Sequence, residues 1–583
     1  MDELLKQLTL KYAVKNAIEH QGKAELKAVI SKLMAIDKNL AKNLSVEIKE
    51  ITEIVEKVNS MDKKELEEKF NSFDSFDELP ERKHKEEMQL DWADKEKVVT
   101  RYAPNPNGPI HLGNARALLN SHEYARKYNG KFILRFDDTD PKVKKPMANP
   151  EIVFKKDFDW LGVKVDEMYF ASDRMEVYYA FMKKIISMGK AYVCFCEKEK
   201  WKELIDQNKG CSCREKDAKE QAKEFDKMLS HEIKEGTAVL RIKTDLNSKD
   251  PSLRDWWAAK IVDNPEHPRV KDKYHVWPSY NFASAIDDHE LRVTLIIRGQ
   301  EHAQNAEKQK FLYDYFKWIY PHTFHTGRIK LKEMVLSTSK IKEGIEQGMY
   351  KGWDDPRLGT LQALRRRGFS AKTIKEIIKE IGVKSSDVTI DFNRIIDLNK
   401  SFIDSKSDRY YFIEEPIRLE VNFIPEMEIE KPLHPDYPDQ VRVYGLKAGT
   451  QSFLISKKDV KKLEIGKIAR LKHALNFRVI RKDEMQIFGE FTGIQKLENK
   501  PLINWILSET NAEIIMDDST KKHGIIDKEI LEEETGNTVQ LESFGYCRID
   551  EINKKSITLW FTHKWKTSNY PSKIPLKSFF HTF

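Results

Sequence analysis

Arg101-Tyr-Ala-Pro-Asn-Pro-Asn-Gly-Pro-Ile-His-Leu-Gly-Asn114 decides the reading of this chain. The apolar pair Val98-Val99 before it reads as the end of a buried strand, and Ala115 to Tyr128 after it reads as a helix. Between them a stiff Pro/Gly loop runs into a helix N-terminus. The first backbone N–H groups of a helix lack intrahelical partners, so such an end is a ready anion site. His111 and Asn114 are three apart and can face one side of the first turn. Gly108 and Gly113 leave room for close approach to the backbone.

Outward from this segment, strands and helices alternate. Lys131-Phe-Ile-Leu-Arg-Phe136 reads as a second strand, followed by Asp137-Asp-Thr-Asp140, and Val293 to Ile297 reads as a later strand ending at Arg298. That order predicts an open parallel sheet, whose ligands gather at the carboxyl ends of its strands. Arg101, Asp137 and Arg298 all fall at such ends, as a single pocket requires. Residues 1–70 read as helical, with Leu4, Leu5, Leu8 and Tyr12, then Ile48, Ile51, Ile54, Val55 and Val58, at helical spacing. The charged stretch 71–97 reads as a linker. Beyond residue 415, β-prone runs such as Val441–Tyr444, Ser452–Ile455, Phe477–Ile480 and Ser556–Phe561 alternate with turn residues, which predicts β-barrels.

A length of 583 residues predicts several domains. The 101 basic and 94 acidic residues leave a net charge of +7, too small to establish nucleic-acid binding alone but compatible with one basic face. No apolar run is long enough for a membrane-spanning helix, and Met1-Asp-Glu-Leu-Leu-Lys6 lacks a signal-peptide pattern, so an intracellular, cytoplasmic location is expected. Five cysteines are too few for a disulfide framework in a chain of this length. Four of them form Cys194-x-Cys196 and Cys211-x-Cys213. Two close pairs across a short loop can supply four thiolates to one tetrahedral Zn2+; reduced hairpins without metal are the alternative.

The Arg101–Asn114 segment closely resembles the HIGH motif of class I aminoacyl-tRNA synthetases, in the Pro-x-Pro-x-Gly-x-x-His-x-Gly form of the glutamyl/glutaminyl branch. Val335-Leu-Ser-Thr-Ser-Lys340 resembles that family's KMSKS loop, and Asp355-Pro-Arg-Leu-Gly-Thr-Leu-Gln-Ala-Leu-Arg-Arg-Arg-Gly368 resembles a further string of the same branch. Lys11-Tyr-Ala-Val-Lys-Asn-Ala-Ile-Glu-His-Gln-Gly-Lys23 is similar to the N-terminal extension of the archaeal glutamyl type.

The resemblance implies a multidomain α/β plus β fold. It has a helical N-terminal domain (1–70), a linker (71–97) and a Rossmann-like catalytic domain (98–340) with an acceptor-binding insertion at about 190–275. A helical connector (341–415) and a C-terminal β-barrel anticodon-binding region (416–583) follow. It implies a glutamate–tRNA ligase that uses ATP with Mg2+ and L-glutamate to charge tRNA(Glu), with tRNA(Gln) as a further candidate, and it favours a monomer. A glutaminyl-tRNA synthetase and an inactive tRNA-binding paralogue are the alternatives.

Carried over residue by residue, the resemblance puts ATP against Pro104, Asn107, Gly108, His111, Gly113 and Asn114 on one side and Leu336, Ser337 and Thr338 on the other. His111, Asn114, Ser337, Thr338 and Lys340 would act on the phosphates. Asn114 stands where the family has a second histidine, and Thr338 where it has the second lysine of the loop, with Lys340 the nearest basic replacement. Glutamate would meet Asp137 at its ammonium, Arg101 and Arg298 at its carboxylates, and Tyr280 and Ser284 along its side chain. Arginine suits carboxylates because its planar fork pairs bidentately. The arginines of 365–367 would meet tRNA phosphates, with a salt-bridged helix face as the alternative. Lys564-Trp565-Lys566 could stack on or pair with bases, with a barrel surface as the alternative.

Overall fold

Strand Val99–Tyr102 is central to a five-stranded sheet, and every neighbouring pair in that sheet is parallel. The order is Glu167–Phe170, Lys131–Phe136, Val99–Tyr102, Leu295–Gly299, His322–Thr326. The computed structural model describes residues 3–19, 22–36, 40–71, 89–483 and 485–565. They divide into two units, Met1–Gln89 and Leu90–Phe583. Most of the 71–97 stretch, and Lys566, lie outside the described residues.

The first unit consists of helices Glu3–Glu19, Leu26–Ile36, Leu40–Asn59 and Lys63–Asn71. Ala13, Val14, Ala17, Ile51, Val55 and Val58 form its core, whereas Ile48, which shares the predicted stripe, is exposed. The last helix starts with a reciprocal cap: Glu65 N–H donates to Asp62 Oδ1 at 2.9 Å and Asp62 N–H to Glu65 Oε2 at 3.0 Å.

In the second unit the chain crosses from Val99–Tyr102 to Lys131–Phe136 through helix Leu112–Lys127, and on to Glu167–Phe170 through Pro150–Leu161. Strand Val99–Tyr102 is buried along its whole length, as expected of a parallel strand covered on both faces. It pairs with Lys131–Phe136 on one side and with the much later Leu295–Gly299 on the other. A topological switch point therefore lies between Val99–Tyr102 and Leu295–Gly299, where ligands of open sheets bind. Arg101 and Arg298 flank it, inside their strands rather than just beyond them.

The insertion is an antiparallel sheet of Ala191–Cys194, Val239–Ile242, Trp257–Ile261 and Val276–Pro278. Helices Leu361–Arg366, Ala371–Ile381 and Phe392–Ile403 follow the central sheet, and Ile374, Ile377, Ile395 and Ile396 join Phe132, Leu134 and Phe136 in one core. The C-terminal region holds two seven-stranded, barrel-like sheets. Arg409–Tyr410 and Phe412–Ile413 belong to the sheet formed mainly by residues 509–563, and the other sheet, built from residues 416–506, is inserted between Ile413 and Glu509.

The arginines of 365–367 are spent on the protein itself. Arg367, almost fully buried, donates to the carbonyls of Pro356, Phe561 and Thr562 at 3.1, 3.4 and 2.9 Å. Arg366 pairs with Asp354 and Asp550 at 2.5 and 2.8 Å, and Arg365 donates to Lys156 O at 2.7 Å. These cations tie the connector to the sheet of residues 509–563 and to helix Pro150–Leu161.

Candidate active site and cysteine cluster

A cleft of about 580 Å³ opens at the switch point. The HIGH-like residues Pro104, Asn107, Gly108, His111, Gly113 and Asn114 line one side, and Leu336, Ser337 and Thr338 another. Arg101, Tyr280 and Arg298 line it as well. Asp137 and Ser284 are buried and are not part of its lining, and Lys340 is exposed on helix Thr338–Glu346, also outside the lining. Sequence reasoning missed Lys144, Arg328, Glu301 and His302, which do line the cleft.

Helix Leu112–Lys127 starts three residues earlier than expected, with His111 as its N-cap. His111 Nδ1 accepts the Asn114 backbone N–H at 3.3 Å, an imidazole doing what a Ser or Asp side chain does at other caps. Burial pushes the His111 pKa down to about 4. The ring is therefore neutral at physiological pH, and with Nδ1 accepting, its proton sits on Nε2 as an uncharged donor. The Asn114 side chain is exposed. A Cβ at Gly113 would lie 3.0 Å from the His111 ring, and one at Gly108 would lie 2.5 Å from Thr338 Cγ2 and 2.8 Å from the Trp353 ring. At Gly108 the glycine thus makes room for protein from the second motif.

The third motif string holds the other two together. Leu112 N–H donates to Gly359 O at 2.9 Å, Leu361 N–H to Ile110 O at 2.8 Å, and Gly359 N–H to Val335 O at 3.4 Å. Thr360 caps helix Leu361–Arg366 through the Ala363 N–H and donates its hydroxyl to Trp353 O at 2.5 Å. Residues 359–361 are wedged between the HIGH-like and KMSKS-like segments.

Buried charged residues cluster beside the cleft. Arg101 pairs with Asp288 through Nε at 2.9 Å and Nη2 at 3.3 Å, and Ser284 Oγ donates to Asp288 at 3.4 Å. Asp137 accepts from Arg135 Nη1 at 3.2 Å, and burial raises its pKa. Asp287 is fully buried and binds Arg174 at 2.6 Å, Tyr178 OH at 2.5 Å and Arg135. Arg298 differs from its neighbours. It is 4% exposed and donates only to neutral acceptors: Gln309 Oε1 at 3.0 Å, Tyr320 OH at 3.0 Å and Tyr280 OH at 3.4 Å. Its Nε has no partner, and no ion pair reaches it among the described residues. A buried cation without a counter-ion is costly.

In the insertion, the Sγ atoms of Cys194, Cys196, Cys211 and Cys213 lie within 4.8 Å of one another, with Cys194–Cys211 at 3.8 Å and Cys196–Cys213 at 4.0 Å. The edge of a tetrahedral zinc–thiolate site is about 3.8 Å, from a Zn–S distance near 2.3 Å. The donor set and its spacing fit zinc. Gln221 braces the two arms, accepting from Val193 N–H at 2.7 Å and donating to Cys213 O at 2.6 Å.

His111, His302 and His563 all have pKa values pushed down to about 4, mainly by burial. Unfolded histidine titrates near 6.5. Between these values the unfolded chain binds more protons, so stability is full above about pH 6.5 and is lost as pH falls toward about 4. Thermal midpoints should fall over this range, and His563→Asn should make the fall shallower. An unchanged slope in that variant would contradict the burial argument.

An open parallel sheet with a glycine- and histidine-led helix start and a Ser/Thr-rich loop at its switch point is the architecture of a class I tRNA synthetase. Residues 97–405 match the family described as "tRNA synthetases class I (E and Q), catalytic domain", and residues 407–494 match its "anti-codon binding domain". The chain is 44% identical over 574 residues to the "Glutamate--tRNA ligase" of Thermococcus kodakarensis, covering 96% of this chain and 100% of that relative. It is 45% identical over 570 residues to that of Pyrococcus horikoshii, with the same coverage, and 39% identical over 563 residues to that of Archaeoglobus fulgidus. The chain belongs to the glutamyl/glutaminyl (E and Q) family of class I tRNA synthetases. Among its described residues no helix is long and apolar enough to cross a membrane.

Proposed function

We infer that this chain is a glutamate–tRNA ligase whose substrates are L-glutamate, ATP with Mg2+, and tRNA(Glu). The observation that carries the choice of glutamate is Arg298, a buried cleft cation with only neutral partners. The γ-carboxylate of glutamate supplies its missing counter-ion, and the neutral amide of glutamine does not. In the proposed reaction the α-carboxylate attacks the α-phosphate of ATP, giving glutamyl-adenylate and pyrophosphate. A hydroxyl of the terminal adenosine of tRNA then attacks the acyl carbon and AMP leaves.

No side chain of the protein forms a covalent bond in this scheme. Catalysis comes from positioning and from donors aimed at the phosphates. His111 offers its uncharged Nε2–H, Asn114 its amide, and Ser337 and Thr338 their hydroxyls. With Lys340 outside the lining, Lys144 and Arg328 are candidate cations for the polyphosphate, Arg328 lying 3.7 Å from Glu301, and Lys340 would act only if its helix start moved inward. Arg101, held by Asp288, and Tyr280 orient the amino acid, with Asp137 and Ser284 behind them.

Charging assays with radiolabelled glutamate and purified tRNA(Glu) and tRNA(Gln) test this reading. Charging of tRNA(Glu) is expected, charging of both extends the reading to a non-discriminating enzyme, and charging of neither overturns it.

The four insertion cysteines are proposed as a structural zinc site. Four thiolates leave zinc no open position, so the ion would brace the insertion and take no part in the chemistry. Metal analysis of protein purified without added zinc should give about one zinc per chain, and Cys211→Ser should lower it. A value near zero in folded, active protein would contradict the site.

A further inference from the structure

Helix Ala303–Phe316 turns Ala306, Gln309, Leu312 and Tyr313 inward, and Gln309 is the one amide among them. It is 1% exposed and lies behind Arg298, outside the lining of the cleft. Its Oε1 accepts from Arg298 Nη1 at 3.0 Å and from Tyr320 OH at 3.2 Å, and Tyr320 OH in turn accepts from Arg298 Nη2 at 3.0 Å. Both neighbours donate, which sets the end of the amide that faces them. Gln309 Nε2 is left without a partner among the described residues. A buried donor without an acceptor costs stability. On stability alone a carboxylate is the better group here, with the same shape, no orphaned donor and a charge opposite to that of Arg298. The rest of the surroundings are neutral too. Tyr280 OH lies 3.4 Å from Arg298. Burial, and then the Arg298 charge, lower the pKa values of His302 and His325, so both rings are uncharged near neutral pH. Asp288, on the adjacent helix Tyr280–Glu290, is taken by Arg101.

We propose that Gln309 is a positioning residue for amino-acid selection: its neutral amide holds the Arg298 guanidinium in place and leaves the charge for the side-chain carboxylate of the substrate. This rests on the ligase reading, in which that carboxylate meets Arg298. Selection is a difference between two affinities, so it depends on what stands behind the arginine as well as on the arginine. A carboxylate at position 309 would cancel the cation from inside the protein. Substrate glutamate would then lose its partner, whereas glutamine, which has no charge to pair, would lose far less.

The test compares the full-length parent with Gln309→Glu and Gln309→Met. It measures kcat/KM for glutamate and for glutamine in ATP–pyrophosphate exchange with tRNA present, the KM for ATP, and the thermal midpoint without ligand. Gln309→Glu should narrow the preference for glutamate over glutamine at least about tenfold. Its KM for ATP should stay near that of the parent, and its midpoint should not fall, because the introduced carboxylate pairs with Arg298. Gln309→Met removes the acceptor and adds no charge, so it should lower kcat/KM yet keep the preference within about threefold of the parent's. An equal fall with both amino acids in Gln309→Glu would mean a structural role alone and overturn the proposal. An unchanged preference or a lowered midpoint in that variant, or a preference lost in Gln309→Met, would overturn it as well. A parent with no preference for glutamate would instead overturn the ligase reading itself, and the proposal with it.

Discussion

Arg298→Cys is expected to lower glutamate-dependent ATP–pyrophosphate exchange at least about a hundredfold. Removing one partner of a buried charge pair costs ~3–5 kcal/mol, and each 1.4 kcal/mol is about a factor of ten. The loss should fall on kcat/KM for glutamate and leave the KM for ATP nearly unchanged, since Arg298 is held among Tyr280, Gln309 and Tyr320 rather than against the HIGH-like loop. Stability offers a second readout. In the protein without ligand Arg298 has no counter-ion, so its removal should not lower the thermal midpoint. Arg298→Lys should recover only part of the activity, because a lysine cannot make the bidentate contact. A near-normal glutamate rate in Arg298→Cys would remove the basis for assigning glutamate.

Asp287→Ala should cause the largest loss of stability. This carboxylate is fully buried and joins Arg135 on strand Lys131–Phe136, Arg174 on the short turn Ala171–Arg174 and Tyr178 on helix Met175–Ser187 to its own helix Tyr280–Glu290. The contacts span more than a hundred residues of sequence, from Arg135 to Asp287. Truncation leaves Arg174 without its carboxylate and the fully buried Arg135 with Asp137 alone. The cost is ~3–5 kcal/mol, which lowers the midpoint of the main thermal transition by about 3–5 °C in a unit as large as Leu90–Phe583. A shift below about 2 °C would mean that the network is not stabilising as drawn.

The architecture was legible because it rests on local pattern. Alternating strands and helices gave the parallel sheet, and β-prone runs with turns between them gave the barrel-like sheets. The motif residues were legible as a group, and the cleft gathers most of them. Their partners were not. Periodicity tells which face a residue occupies, but it does not name the group across the interface. Asp287 and Asp288 are adjacent in sequence, yet one holds Arg135 and Arg174 and the other holds Arg101. The arginines of 365–367 form a charge run that in sequence looks the same whether it faces phosphates or carbonyls and carboxylates of the protein itself.

Gly108 illustrates the same limit. A glycine in a nucleotide-type loop signals close approach, and the sequence left open what approaches. Thr338 and Trp353 occupy that space, so Gly108 packs the two motif segments together. Lys340 is the basic residue nearest in the chain to the KMSKS-like pattern, yet helix Thr338–Glu346 carries it out of the lining. Lys144 and Arg328, which do line the cleft, belong to no motif and could be found only from the fold.

The most direct test is ATP–pyrophosphate exchange with tRNA present, comparing glutamate and glutamine as the amino acid. The unpaired buried cation at Arg298 predicts exchange with glutamate and a rate with glutamine at least about a hundredfold lower. Equal rates with the two amino acids, or a preference for glutamine, would contradict the account.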